Sequence, residues 1–294
     1  MKSRLHLPKL AAPPKTILEY LIARFPRIEP ETWHERMAGH RIVLDDGTIL
    51  DADSPYRHGV TVLYSKEVPE EMHEPSVDVE ETILYWDANI IVADKPHGMV
   101  VTPAGNQVER SLLVRLQNHT GLTALAPVHR LDRETAGIVL FAIHADARAQ
   151  YHRLFSERIV EREYLAIAKL NNLDQYEWHV KNRLEQSEPW YRRRIAESST
   201  GEANAITRIT LLESRSGLGL FRLRPETGKK HQLRVHMASI GSPITGDLLY
   251  PEIRMKQDGD PPLQLLAYRL WFIDPLSGEP RSFKSAQKLL WPVE

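Results

Sequence analysis

"PVHRLDRETAGIVLFA", residues 127–142, sets a histidine, two arginines and two acids directly before an apolar run. The run "GIVLFAIHA" (137–145) reads as a buried strand. Asp132 therefore stands at the entry to that strand, with Arg130 two before it and Arg133 just after. An acid there reads as a solvated turn acid, a helix cap or a catalytic carboxylate. Nearby arginines predict that it stays ionised well below neutral pH, which suits a nucleophilic or electrostatic role. On spacing alone, a turn acid pairing with its neighbours is the simpler reading.

Strands and a few helices surround this stretch. "TILYWDANIIVADKP" (82–96) predicts two strands about an Asp-Ala-Asn turn, and "SLLVRLQNHTG" (111–121) a helix stopped at Gly121. Residues 145–157 predict a helix and 162–170 a strand. Residues 203–214 and 219–227 predict strands joined by a glycine turn, and 229–241 a helix closed by Gly241. Residues 263–283 predict a hairpin turning at Pro275–Gly278. Strands linked mostly by hairpins predict an α+β domain with a mixed, largely antiparallel sheet and flanking helices.

Upstream lies a smaller α+β unit. "TILEYLIARF" (16–25) predicts a helix capped by Thr16, and "ETWHERMAGH" (31–40) a second, ended by a left-handed Gly39. A hairpin at Asp46-Gly47 and a strand over 59–67 follow. "EVPEEMHEPSVDVEE" (67–81) is acid-rich and free of Lys and Arg, the composition of a solvated linker. The expected division is 1–75 for the small unit and 76–294 for the larger domain.

Composition narrows the chemistry. The 294 residues carry 42% hydrophobic and 26% charged side chains and a formal net charge of −1. A polyanion partner would therefore have to meet basic residues gathered on one face. Without cysteine, disulfides, thiolate nucleophiles and Cys-based zinc sites are excluded. His231 and His236 are five apart with no intervening glutamate, which is not a zinc-helix spacing, and no metal is expected. P-loop, dinucleotide and Ser-elbow motifs are missing. No apolar run approaches the roughly 20 residues of a membrane span, and prolines and charges break the N-terminus. A cytoplasmic monomer without a signal peptide is expected, making no use of a membrane.

Five segments, in order, resemble the RluA-type RNA pseudouridine synthases. "HRLDRETAGIVLFA" is similar to that family's H-R-L-D-x-x-T-S-G motif and the strand after it. "ADKPHGMVVTPAG" (93–105) resembles its N-K-P-x-G segment, and "FSERIVEREYLAI" (155–167) the segment ending in K-x-Y. "LRPETGKKHQLRVHMASIGSPITGDLLY" (223–250) is similar to L-x-P-x-T-G-R-x-H-Q-I-R-x-H followed by G-x-P-I-x-G-D-x-x-Y, and 265–279 to the final hairpin. The matches span residues 82–294. This sequence departs from the motifs at Ala136, Arg162 and Lys229, where the family has Ser, Lys and Arg.

The resemblance implies isomerisation of a uridine in ribosomal or transfer RNA to pseudouridine, without a cofactor. It places the catalytic carboxylate on Asp132. Attack on the anomeric carbon and removal of the ribose 2′ proton both need such an anion. It places on Tyr164 a ring that packs on the target base and a hydroxyl that helps move a proton. It gives Arg234 a charge-assisted contact that keeps Asp132 ionised and oriented. Arg130 is implied to fill the space of a flipped base. His129, Arg133, Lys229, Lys230 and His231 complete the RNA-side set, with Lys229, Lys230 and His231 serving RNA or structural contacts and His129 expected to fix the loop rather than transfer protons. The start of the 229–241 helix, with two lysines, also suits a phosphate. "VKNRLEQSEPWYRRR" (180–194) reads equally as a patch for phosphates and bases or as a solvated loop. The small N-terminal unit resembles, more weakly, the RNA-binding module that precedes many ribosomal-RNA pseudouridine synthases. The opposing readings are a non-catalytic RNA-binding protein with the same fold and a carboxylate-dependent N-glycosidase, which would release free uracil.

Overall fold

The computed structural model describes residues 3–10, 12–26, 28, 30–64, 81–103, 108–170, 175–187, 191–196 and 201–291. The acidic stretch expected as a linker lies outside the described residues except for Glu81. The chain divides into two compact units, residues 1–73 with 104–108 and residues 74–103 with 109–294. No helix among the described residues is long and apolar enough to cross a membrane.

The first unit holds β1 (Ser3–His6), α1 (Ile17–Arg24), α2 (Pro30–Ala38), β2 (Ile42–Leu44) and β3 (Thr61–Tyr64). The three strands pair antiparallel in the order β1-β3-β2. The Thr16 hydroxyl caps α1 by accepting the Glu19 amide at 3.1 Å, while the Glu19 carboxylate accepts the Lys15 amide at 2.7 Å. Ile17, Leu18 and Leu21 bury against Trp33 and Met37 of α2. The left-handed residue after α2 is His40 (φ 55°), not Gly39. A Cβ at Gly39 would meet the movable Arg41 side chain at 2.8 Å and the Glu35 carbonyl oxygen at 3.2 Å. The Asp46-Gly47 turn forms, with the Asp46 carboxylate accepting the Thr48 amide at 2.9 Å, but its second arm reduces to a single bridge between Val43 and Ile49. The N-terminal strand β1 was not legible in a segment short on alternating apolar residues.

The second unit runs β4 (Thr82–Trp86), β5 (Ile90–Lys95), α3 (Leu112–Thr120), β6 (Ala126–Pro127), β7 (Ala136–Ala142), α4 (Ala145–Ser156) and β8 (Glu161–Lys169). It continues with β9 (Glu177–Asn182), β10 (Leu184–Gln186), β11 (Arg193–Ile195), β12 (Ala205–Arg215), β13 (Leu218–Pro225), α5 (Gln232–Ser239), β14 (Leu265–Ile273) and β15 (Pro280–Lys284). Ten strands form one sheet, ordered β4-β5-β7-β14-β8-β13-β12-β9, with β15 on β14 and β6 on β7. Every pair is antiparallel except β14 with β7, so the sheet is mixed and largely antiparallel, as the hairpin pattern predicts.

The apolar run of β7 is explained by cover on both faces. Ile138, Leu140 and Ala142 pack with Tyr151 and Leu154 of α4, whereas Val139 and Phe141 pack with Leu112 and Leu116 of α3. The strand emerging from the Asp132 loop is therefore clamped in the core. Gly137, at φ 111°, lets this strand approach β14: a Cβ there would lie 2.3 Å from the Ala267 carbonyl oxygen. Ala136, where the family motif has Ser, is fully buried, so a hydroxyl there would need a partner in the core.

Two expectations change. The helix over 229–241 begins only at Gln232, because His231 adopts a left-handed backbone (φ 57°). At its start the Lys229 amide already donates to Gln232 Oε1 at 3.0 Å, so that amide is taken and a phosphate would have to meet the lysine side chains. Residues 184–186 and 193–195 form a two-stranded ribbon in place of a loop, and Trp190 lies outside the described residues. Arg194 pairs there with Glu185 at 2.9 Å, and Arg192 turns inward over the Tyr250 ring at 4.9 Å.

Candidate active site

Asp132 lies in the loop between β6 and β7, and the backbone around it is pinned from several sides. The Val128 amide donates to Leu140 O at 2.9 Å, and the Thr135 amide to Asp132 O at 3.1 Å. The Leu140 amide donates to His129 Nε2 at 3.1 Å, and the His129 ring stacks on Phe155 at 4.4 Å. Burial pushes the His129 pKa down to about 3. A neutral ring turned inward fits fixing the loop, as expected, better than its place among the RNA contacts.

The sequence reading missed the strongest anchor. Lys95, fully buried at the end of β5, donates through Nζ to the carbonyls of Pro96 (2.9 Å), Met99 (2.8 Å) and Arg133 (3.0 Å). His97 Nδ1 donates to the Glu134 carbonyl at 2.8 Å. Burial pulls the Lys95 pKa down to about 7, against the pull of Glu134 and Asp132. The lysine of "ADKP" signalled only a strand end, because the partners are carbonyls, which no side-chain motif records. Lys95→Met keeps the stem and removes the donors. It is expected to destabilise the protein by about 3 kcal/mol in urea unfolding and to slow turnover about 100-fold through a misplaced loop. An unchanged urea midpoint would contradict this anchoring.

The electrostatics of Asp132 correct the expectation from its neighbours. Arg133 Nε pairs with Glu134 at 2.9 Å instead. Burial raises the Asp132 pKa above 3.8; Arg234 pulls it down most, Glu134 raises it further, and Lys230 and Lys95 lower it. The carboxyl is therefore more basic than an ordinary aspartate, not less. It remains reachable, with 31% of its side-chain surface exposed, and makes no hydrogen bond to a described residue.

Arg234 does not make the expected contact with Asp132. It is 3% exposed and binds Asp247 in a fork, Nε to Oδ2 at 2.8 Å and Nη2 to Oδ1 at 2.6 Å. The amides of Leu249 and Tyr250 also donate to Asp247 Oδ1, at 2.8 and 3.1 Å. Arg234 Nη1 is buried without a hydrogen-bond partner among the described residues. Its hold on Asp132 is thus Coulombic, from a guanidinium locked by Asp247, the aspartate of "GDLLY" to which no role had been given.

The remaining candidates gather on the same side. His231 Nε2 stands 3.9 Å from Asp132 Oδ2, the nearest ionisable partner of that carboxylate among the described residues. Lys230 is exposed, and its pKa is lowered by burial and by Arg193, Arg234 and Arg130, against the pull of Asp132. Those influences place Arg130, itself exposed, in the same cationic neighbourhood. Lys229 is exposed. Tyr164, on β8, is half-buried and its hydroxyl bonds no described residue; burial, and secondarily Asp132, raise its pKa against Arg162. Arg162 itself bridges the Pro225 and Thr227 carbonyls, each at 3.2 Å, a structural tie before α5. His236 spends both ring nitrogens on Thr207 and Asn182, at 2.9 and 3.0 Å.

A recessed, reachable carboxylate among cations, with an unbonded tyrosine hydroxyl near it, suits chemistry on a sugar of a polyanion. Comparisons with known proteins agree. The family model described as RNA pseudouridylate synthase matches residues 89–239. The chain is 31% identical over 277 residues to ribosomal large subunit pseudouridine synthase D of Xanthomonas campestris, covering 87% of this chain and 80% of that protein. It is 31% identical over 233 residues to the protein of the same name in Zymomonas mobilis, covering 74% and 72%. Among solved structures, human RNA pseudouridylate synthase domain containing 1 superposes with a TM-score of 0.60 at 23% identity, covering 73% of this chain and 86% of that one. The domain containing 4 protein gives 0.54 at 27%, over 70% and 88%. The motifs, the sheet and these matches converge: the chain belongs to the RluA-type family of RNA pseudouridine synthases and is an RNA pseudouridine synthase.

Proposed function

We propose that this synthase isomerises a particular uridine of large-subunit ribosomal RNA, with Asp132 acting on the ribose and the target base turned out of its stack. The observation that carries the assignment is the Asp132 carboxylate itself: raised in basicity, without a hydrogen bond to a described residue, and open on one edge. Both routes to glycosidic cleavage, attack on the anomeric carbon and removal of the 2′ proton, draw on that same anion. Arg130, exposed two residues before it, is read as the group that occupies the gap left by the flipped base. Lys229 and Lys230, exposed before α5, supply phosphate contacts. The names of the bacterial relatives support ribosomal RNA as substrate. The small N-terminal unit is read as a second RNA contact.

Tyr164 acts beside the base. With its pKa raised, the phenol stays protonated, so it passes a proton on rather than serving as a base in its own right. Tyr164→Phe is expected to lower kcat about 100-fold while the melting temperature and RNA affinity hold. Wild-type turnover would remove the hydroxyl from the mechanism and leave only ring stacking.

The substrate is tested by mapping pseudouridine in total RNA from cells with and without this protein. Loss confined to large-subunit ribosomal RNA is expected. Loss at a transfer-RNA position, with ribosomal RNA unchanged, would overturn the assignment.

A further inference from the structure

His231 stands between Asp132 and Tyr250, and the neighbours of Tyr250 decide which ring nitrogen carries the proton. The Arg193 amide donates to Tyr250 Oη at 2.7 Å. His231 Nδ1 lies 3.0 Å from the same oxygen. The guanidinium groups of Arg192 and Arg234 lie over the Tyr250 ring, at 4.9 and 5.3 Å, which favours the phenol as a donor. The phenol has one proton, and the amide already takes up an acceptor lone pair of its oxygen. With the amide as donor to the oxygen and the two guanidinium groups making the phenol more acidic, the favoured arrangement sends that proton to Nδ1. A neutral imidazole accepting at Nδ1 carries its own hydrogen on Nε2. Nε2 is the atom that faces Asp132 Oδ2 at 3.9 Å.

We propose that His231 is a positioning residue for Asp132: Tyr250 fixes the imidazole as the Nε2–H tautomer, and that N–H is aimed at the catalytic carboxylate. The inference rests on the reading of Asp132 as the reacting group. The opposite tautomer would set a lone pair against the anion. Arg234, Glu134, Lys230 and Lys95 also act on Asp132, and Arg234, Lys230, Arg193 and Arg192 on His231. None of them gives Asp132 a hydrogen bond, so His231 is the donor in place to do so. Closing the gap to hydrogen-bond length takes a movement of about 1 Å. Burial, then Arg234, pushes the His231 pKa down to about 2, so the ring stays neutral throughout the working range and acts through tautomer, not charge. Because Arg193 belongs to β11, the chain Arg193–Tyr250–His231–Asp132 also links the β10–β11 ribbon to the carboxylate.

The direct test is long-range proton–nitrogen NMR of the full-length protein labelled with 15N-histidine, with His231 assigned by its loss in His231→Gln. The expected result is an unprotonated Nδ1 and a protonated Nε2. An Nδ1–H tautomer would overturn the proposal. The tautomer is read without turnover, so its failure is distinct from failure of the Asp132 assignment, which Asp132→Asn reports. Kinetics give the second arm. Tyr250→Phe is expected to lower kcat about tenfold, to move the acidic limb of kcat/KM upward, and to leave KM for RNA within about threefold. His231→Gln, which keeps an N–H donor, is expected to retain more activity than His231→Leu. An acidic limb unmoved in Tyr250→Phe would also overturn the proposal.

Discussion

Asp132→Asn is expected to abolish pseudouridine formation, by about 10⁴-fold or more, while the protein folds at least as well as wild type. Asparagine preserves the shape of the side chain but supplies no anion for either route to cleavage. The stability half follows from linkage. In the folded chain burial, reinforced by Glu134, raises the Asp132 pKa above 3.8. The folded state therefore holds that proton more tightly than the unfolded chain. As pH rises from 3.8 through the folded value, ionisation costs the folded state stability. Asparagine escapes that cost. At neutral pH the variant should melt no lower than wild type, and below about pH 3 the two should coincide. A variant that is inactive only because it unfolds would show the opposite order at neutral pH. For the same reason the acidic limb of wild-type kcat/KM should lie above pH 3.8.

Gly137→Ala is expected to destabilise the protein by about 4 kcal/mol or more, through two separate costs. The first is backbone strain, because an L side chain at φ 111° costs about 1–3 kcal/mol. The second is overpacking, of about 1–3 kcal/mol or beyond, because the new Cβ would meet Ala267 O at 2.3 Å and Ala267 N at 2.7 Å. Neither neighbour is a side chain that can rotate away. Relief requires β14 to separate from β7 at the Leu266–Ala136 and Ala267–Gly137 rungs, their parallel register. Since β7 leads straight out of the Asp132 loop, turnover should fall as well. A Tm lower by roughly 10 °C is expected for a unit of this size. A Tm within about 2 °C of wild type would show that the strands separate freely.

Much of this molecule was legible in its sequence because its signals are local. The Thr16 cap, the stop of α3 at the left-handed Gly121, and the glycine turn between β12 and β13 each depend on residues a few positions apart. The doubly covered β7 followed from its apolar run. Asp132 was singled out by position and by resemblance. What escaped depends on distant partners. Arg133 and Arg234 were expected to serve Asp132, yet each is drawn to another acid, Glu134 and Asp247. Lys95 reaches the Arg133 carbonyl across 38 positions, and Tyr250 reaches the Arg193 amide across 57. Burial raised a carboxyl that its sequence neighbours were expected to lower. The late start of α5 turned on one left-handed residue, His231, which is not a glycine.

In the proposed reaction Asp132 drives carbon–nitrogen to carbon–carbon isomerisation of uridine within RNA. Its most direct measurement uses RNA carrying tritium at carbon five of uracil, followed for tritium released to water together with the base products. The expected result is one tritium released per pseudouridine formed, no free uracil, and neither tritium nor pseudouridine with Asp132→Asn. RNA bound without tritium release, free uracil among the products, or full release by Asp132→Asn would contradict it.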